Sequence, residues 1–232
     1  MKKNQVLEFC MAVVLLFGAW YLSKEGAILA GNMKSVGVEK QKVVVLDSGH
    51  GGSDPGKVGV NKILEKDINL SIAKKLKVYL ESEGIKIIMI REEDKGLYEE
   101  GSSNKKAQDM KNRCKLIEES EADLTVSIHQ NSYHEEYVKG AQVFYFSQSQ
   151  DGKELAEYIQ EALVKGVDPS NKRMAKGNDS YYLLKNTKKP TVIVECGFLS
   201  NWEEAQLLAL DDYQDKLAWN IHLGIMKYIN KK

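Results

Sequence analysis

The stretch VVVLDSGHGG, residues 43–52, decides how the chain is read. Three valines and a leucine make an apolar, largely β-branched run of the kind found in strands covered on both faces. The run ends in Asp47, Ser48 and Gly49, then a single histidine at position 50, then two more glycines. A buried strand that delivers a histidine into a loop almost bare of side chains suits a site at the strand's carboxyl end, where ligands gather in α/β sheets.

Working outward, strand-length apolar runs alternate with stretches of helical period. Lys42–Leu46, Ile85–Ile90, Leu124–Ile128, Ala141–Phe146 and Pro190–Val194 read as strands. Glu65–Glu83 reads as a helix with Ile68, Ile72, Leu76, Tyr79 and Leu80 on one face and Gly84 placed to end it. Ala107–Glu119, Gly152–Leu163 and one or two helices within Glu203–Ile229 complete the pattern. The expectation is an α/β fold: one domain, residues 42–232, on a twisted, mostly parallel (mixed) sheet with helices on both faces.

Lys+Arg and Asp+Glu both number 33, so the basic surplus of a nucleic-acid partner is missing. Residues 1–30 differ from the rest: Lys2 and Lys3 precede an apolar run from Phe9 to Leu22. That run is short of the roughly 20 residues a membrane-crossing helix needs, but it suits the core of a signal peptide. Residues 1–30 are expected to direct export across the cytoplasmic membrane, as a cleaved signal or as an N-terminal anchor through residues 6–22, with 31–41 as a linker. Cys10 lies in that segment, and Cys114 and Cys196 are expected to be buried free thiols.

The residues at the carboxyl ends of the strands are Asp47 to His50, Arg91, Ser127 to Asn131, and Glu195 to Gly197. Glu65 starts the first helix, which returns toward the same rim. Two imidazoles and one carboxylate form a zinc ligand set, leaving the fourth position for water. A further carboxylate, Glu195, is then available as a general base. Either histidine alone reads more simply as a turn or rim residue, and Glu65 alone as a helix N-terminal acid. Glu195, after Val192–Val194, is costly to bury unless paired or working.

Other motifs carry less. His134-Glu135-Glu136-Tyr137-Val138 imitates HExxH but has Val where the second histidine belongs, and reads as a loop. The Gly49–Gly56 loop lacks the Gly-Lys-Ser/Thr ending of a phosphate loop. Cys196 as a nucleophile is disfavoured because, next to Glu195 on a strand, it points the other way. His222 reads as a packed or surface histidine. Tyr181, Tyr182 and Arg173–Lys176 read equally as groove lining or as an ordinary amphipathic segment.

Four blocks, VVVLDSGHGGSDPG, ILEKDINLSIAKKL, ADLTVSIHQNS and PTVIVECGFLSNWEEAQLL, resemble the zinc-dependent N-acetylmuramoyl-L-alanine amidases of the amidase-3 type, in the family's order and spacing from Lys42 to Ile229. The resemblance implies one Zn2+ per chain on His50, Glu65 and His129, Glu195 as the catalytic glutamate, and peptidoglycan as substrate. It also carries over Arg91 and Asp94 as a pair, and Arg113 as the arginine beginning a helix. Ile117-Glu118 and Gln130 depart from the usual pattern without touching the implied ligands. An export segment with one catalytic domain resembles the spore-cortex, germination-specific branch, which acts with a deacetylase to make muramic δ-lactam. Ser132–Lys139 is too short for the blocking helix some members carry. Control then falls to expression timing, to compartment, or to an activating accessory protein. The competing reading is a non-catalytic wall-binding or scaffold protein with structural zinc.

Overall fold

The computed structural model describes residues 3–34 and 41–231. They fall into two units, divided after residue 40. The first contains helix α1 (Lys3–Lys34), along which Phe9, Leu15, Trp20 and Leu22 are exposed. No helix among the described residues is long and apolar enough to cross a membrane. Helix α1 continues beyond residue 30, and residues 35–40 of the expected linker lie outside the described residues.

The second unit alternates as the periodicity predicts: β1 (Val43–Ser48), α2 (Glu65–Ser82), β2 (Lys86–Met89), α3 (Lys105–Glu119), β3 (Leu124–Asn131), β4 (Gln142–Tyr145), α4 (Gln150–Gly166), β5 (Lys176–Gly177), α5 (Tyr182–Lys185), β6 (Thr191–Phe198), α6 (Trp202–Leu208) and α7 (Asp211–Lys231). The strands form one sheet in the order β2-β1-β3-β6-β4-β5. Strands β2, β1, β3 and β6 are parallel, and β4 runs antiparallel to β6. The mixed sheet is therefore as expected. Strand β5 and the single-turn α5 are additions that sequence periodicity does not reveal.

Alternation along the strands sorts the side chains into two cores. Val44, Leu46, Val126, Ile128, Val192 and Val194 pack with the apolar stripes of α2, α4 and α7. Val43, Val45 and Ile193 pack with Cys114 and Ile117 of α3 and Leu183 and Leu184 of α5. A one-residue slip of a strand would exchange these rows. At roughly 1.5–3 kcal/mol per fully buried aliphatic side chain, the observed register wins. Helix α2 ends in a Schellman turn: Gly84 is left-handed (φ 76°), its N–H donates to the Glu81 carbonyl, and the Ile85 N–H donates to the Leu80 carbonyl. That turn starts β2 beside β1 and brings Arg91 to the carboxyl rim.

Candidate active site

The row Val43, Val45 and Ile193 continues past the second core as Asp47 on β1 and Glu195 on β6, with Ser127 and His129 on β3 between them. All four leave the sheet on one face, at its carboxyl end. There a cleft of about 440 Å³ is lined by His50, Glu65, His129, Tyr181, Tyr182 and Glu195 among others.

His50, Glu65 and His129 each offer one ligand atom, and these atoms all lie within 4.8 Å of one another. Glu65 Oε1 is 3.2 Å from His50 Nε2 and 3.0 Å from His129 Nδ1. A tetrahedral zinc with bonds of about 2.0–2.2 Å would hold donors roughly 3.3–3.5 Å apart, so the set fits such an ion after a small adjustment. Asp54 Oδ2 lies 2.9 Å from His50 Nδ1, the arrangement in which a carboxylate fixes the ring and leaves Nε2 for a metal. Glu65 is only 2% exposed; its Oε2 accepts from the Lys57 N–H (2.8 Å) and its Oε1 from the Gln130 N–H (3.1 Å). Burial alone would raise its carboxyl, but hydrogen bonds and charge from His129 and His50 outweigh that and hold it far below the ordinary range.

Two glycines of the Gly49–Gly56 loop have steric causes. A Cβ on Gly49 would sit 2.1–2.7 Å from atoms of the His129 ring. One on Gly56, itself left-handed at φ 68°, would sit 2.5 Å from Glu65 Oε2 and 2.7 Å from His50 Cδ2. The loop is bare so that the triad can close against it. His50 itself is left-handed (φ 64°), a strained conformation that its surroundings must hold.

Two buried arginines provide that hold. Arg113 donates to Asp47 Oδ1 (2.5 Å) and to the carbonyls of Ser48 (3.0 Å) and His50 (2.6 Å). Arg91 donates to the carbonyls of Ser48 (2.9 Å), Gly49 (3.1 Å) and Lys66 (2.7 Å). Arg91 and Asp94, the pair carried over from the family, feel each other's charge but share no hydrogen bond. Asp94 instead takes Lys66 Nζ (2.7 Å) and the Gly52 N–H (2.8 Å), because the Arg91 guanidinium is already filled by main-chain carbonyls. Arg113 also lies well inside α3 rather than at its start, since the helix begins eight residues earlier at Lys105. Gln130 does touch a candidate ligand. A register shift between His129 and Asn131 frees its amide for Glu65, and its side chain donates to Asn69 Oδ1 (3.2 Å).

Glu195 is 6% exposed and is the register partner of His129. Burial pushes its carboxyl above the ordinary range; the charge of His129 opposes this and that of Glu65 adds to it. Its Oε1 accepts from the Tyr181 hydroxyl (3.2 Å), while Oε2 has no hydrogen-bond partner among the described residues. Tyr181 and Tyr182 do line the cleft, whereas Arg173 stacks on Phe198 and lines a separate hollow with Lys139 and Asp168. His134 is exposed in its loop, and His222 is buried against Tyr79 and Trp219. The sequence did not reveal Asp54 as the partner of His50, although its i+4 position was the available signal.

Residues 44–227 match the N-acetylmuramoyl-L-alanine amidase family Amidase_3. The chain belongs to this family. It is thereby an amidase of peptidoglycan, acting at the bond between N-acetylmuramic acid and L-alanine. A germination-specific N-acetylmuramoyl-L-alanine amidase of Bacillus subtilis (strain 168) is 43% identical over 194 residues, covering 82% of this chain and 81% of the relative. The CwlD amidase of Clostridioides difficile, solved in complex with the GerS lipoprotein, superposes with a TM-score of 0.81 at 45% identity, covering 83% of this chain and all of that one. An N-acetylmuramoyl-L-alanine amidase of Clostridium difficile 630 gives 0.74 at 31% identity, covering 84% of this chain and all of that one.

Proposed function

We propose that this amidase works with one zinc ion held by His50, Glu65 and His129, and with Glu195 as its general base and acid. The observation that carries the reading is the convergence of three ligand atoms within 4.8 Å beside a buried carboxylate with one uncommitted oxygen. Among the described residues the group has three members, which suits an open catalytic site better than the closed four-ligand site of a structural zinc. When bound, zinc supplies Lewis acidity, polarising the scissile carbonyl and acidifying a water.

The remaining chemistry falls to the chain's own side chains. Glu195 takes the water's proton on Oε2 and returns it to the departing alanine nitrogen. Arg91 and Arg113 fix the main-chain carbonyls of residues 48–50 and so keep His50 in its strained conformation.

The similarity to a germination-specific amidase supports spore-cortex peptidoglycan as the substrate, with cleavage a step toward muramic δ-lactam. Export by residues 1–30, cut or retained as an anchor through residues 6–22, places the domain outside the cytoplasmic membrane. The segment between β3 and β4 contains no helix to block the cleft, and the CwlD amidase was solved with a lipoprotein bound. Both support an accessory partner for this chain. The test is the mass of peptide released from purified peptidoglycan. Stem peptides beginning with L-alanine are expected, release should stop on chelation, and zinc should restore it. Stem peptides left on the glycan by zinc-loaded protein, or release that survives chelation, would overturn the reading.

A further inference from the structure

Three contacts fix Tyr181, and a fourth fixes the residue that holds its backbone. Its N–H donates to Asn178 Oδ1 (3.0 Å), and the Asn178 N–H donates in turn to the Tyr145 carbonyl of β4 (2.8 Å). Its ring meets Phe144 of β4 edge-on, at 5.5 Å between centroids and 75° between planes. Its hydroxyl reaches across the cleft to Glu195 Oε1 at 3.2 Å. The phenol is thus anchored by β4, next to the strand that carries Glu195, and not by the loop that carries His50 or the helix that begins at Glu65.

Among the described residues Glu195 has no other hydrogen-bond donor, and its second oxygen is buried without a partner. A carboxylate at the end of a three-torsion side chain, held at neither oxygen, would sample several conformers. One fixed donor on Oε1 selects a single conformer and leaves Oε2 as the atom able to accept a proton. We infer that Tyr181 is a positioning residue for Glu195, its hydroxyl tethering Oε1 so that Oε2 is the basic oxygen presented to the reacting water. The inference rests on Glu195 being the base proposed above.

The test is Tyr181→Phe in the full, zinc-loaded chain. Phe keeps the ring against Phe144 and removes only the hydroxyl. Removing an orienting partner of this kind lowers activity about ten- to a hundredfold. The expected result is that fall in kcat with KM within about twofold of wild type, unchanged zinc stoichiometry and unchanged melting temperature. Full kcat, a loss confined to KM, or a loss of zinc would each overturn the assignment. A crystal structure of the variant gives a readout that needs no turnover. The Glu195 carboxylate should rotate or split between conformers, and an unmoved, singly ordered carboxylate would refute the tether. An inert wild type would instead count against the amidase site itself, while the Glu195 conformers would still decide the role of Tyr181.

Discussion

Glu195 on β6 and His129 on β3 are register partners in adjacent parallel strands, so their side chains leave the sheet together on the face that carries Asp47. Lateral pairing fixes their separation by the sheet itself rather than by a loop, the more exact way to hold a base beside a metal ligand.

Glu195→Gln tests the division of labour. The amide keeps the shape and can still accept from Tyr181, but it cannot take a proton. Zinc content should stay at one per chain while kcat falls by about a hundredfold to ten-thousandfold. Metal analysis beside timed peptide release checks this, and normal turnover would remove Glu195 from the chemistry.

His129→Ala should lose metal and activity together. The substitution leaves two ligands where three are needed for a stable site. Stoichiometric zinc that survives dialysis against a chelator would break the ligand assignment.

The Asp47–Arg113 pair makes a prediction about stability. Both side chains are 2% exposed, so Arg113→Met leaves a buried carboxylate unpaired, at a cost of about 3–5 kcal/mol in urea unfolding. Asp47→Asn together with Arg113→Met should recover part of that loss. Burial alone would raise the Asp47 carboxyl, but Arg113 and the Ser127 hydroxyl hold it below its ordinary value of 3.8. Its stabilisation is therefore full above about pH 4 and is lost as the pH falls through the lower folded value. Asp47→Asn should be less stable at neutral pH and should flatten the acid limb of the stability curve.

Much of this was legible in the sequence because it follows from period. The alternation in Val43–Asp47 and in Val192–Glu195 assigns each residue to a face, and Gly84 marks the end of α2. What stayed hidden has no period. Strand β5 has two residues and α5 has four, too few for any pattern to repeat. The pairing of Asp94 with Lys66, and the pinning of the His50 loop by Arg91, depend on loop geometry that sequence order does not encode. Tyr181 reached Glu195 by the same route, from a turn held by Asn178.

The two cysteines of the catalytic unit should prove chemically quiet. Both are buried; burial pushes the Cys114 thiol up to about 11 and the Cys196 thiol higher still. Cys196 packs in the core shared by α2, α4 and α7, on the opposite side of the sheet from Glu195. Iodoacetamide treatment of the folded chain at neutral pH should leave activity unchanged. Inactivation that tracks labelling of Cys196 would reopen a thiol mechanism.

Gly49→Ala joins the opening sequence to the metal most directly. A methyl group there meets the His129 ring at 2.1 Å, far inside van der Waals contact. Either the ring rotates away from Glu65 or the strand end shifts, and the second is resisted by Arg91 and Arg113 on the neighbouring carbonyls. The ring is the softer element, so zinc affinity should fall at least tenfold with the circular dichroism spectrum preserved. Competition against a chromogenic chelator measures the affinity. Wild-type affinity in the variant would mean that His129 does not lie against Gly49 in the loaded protein.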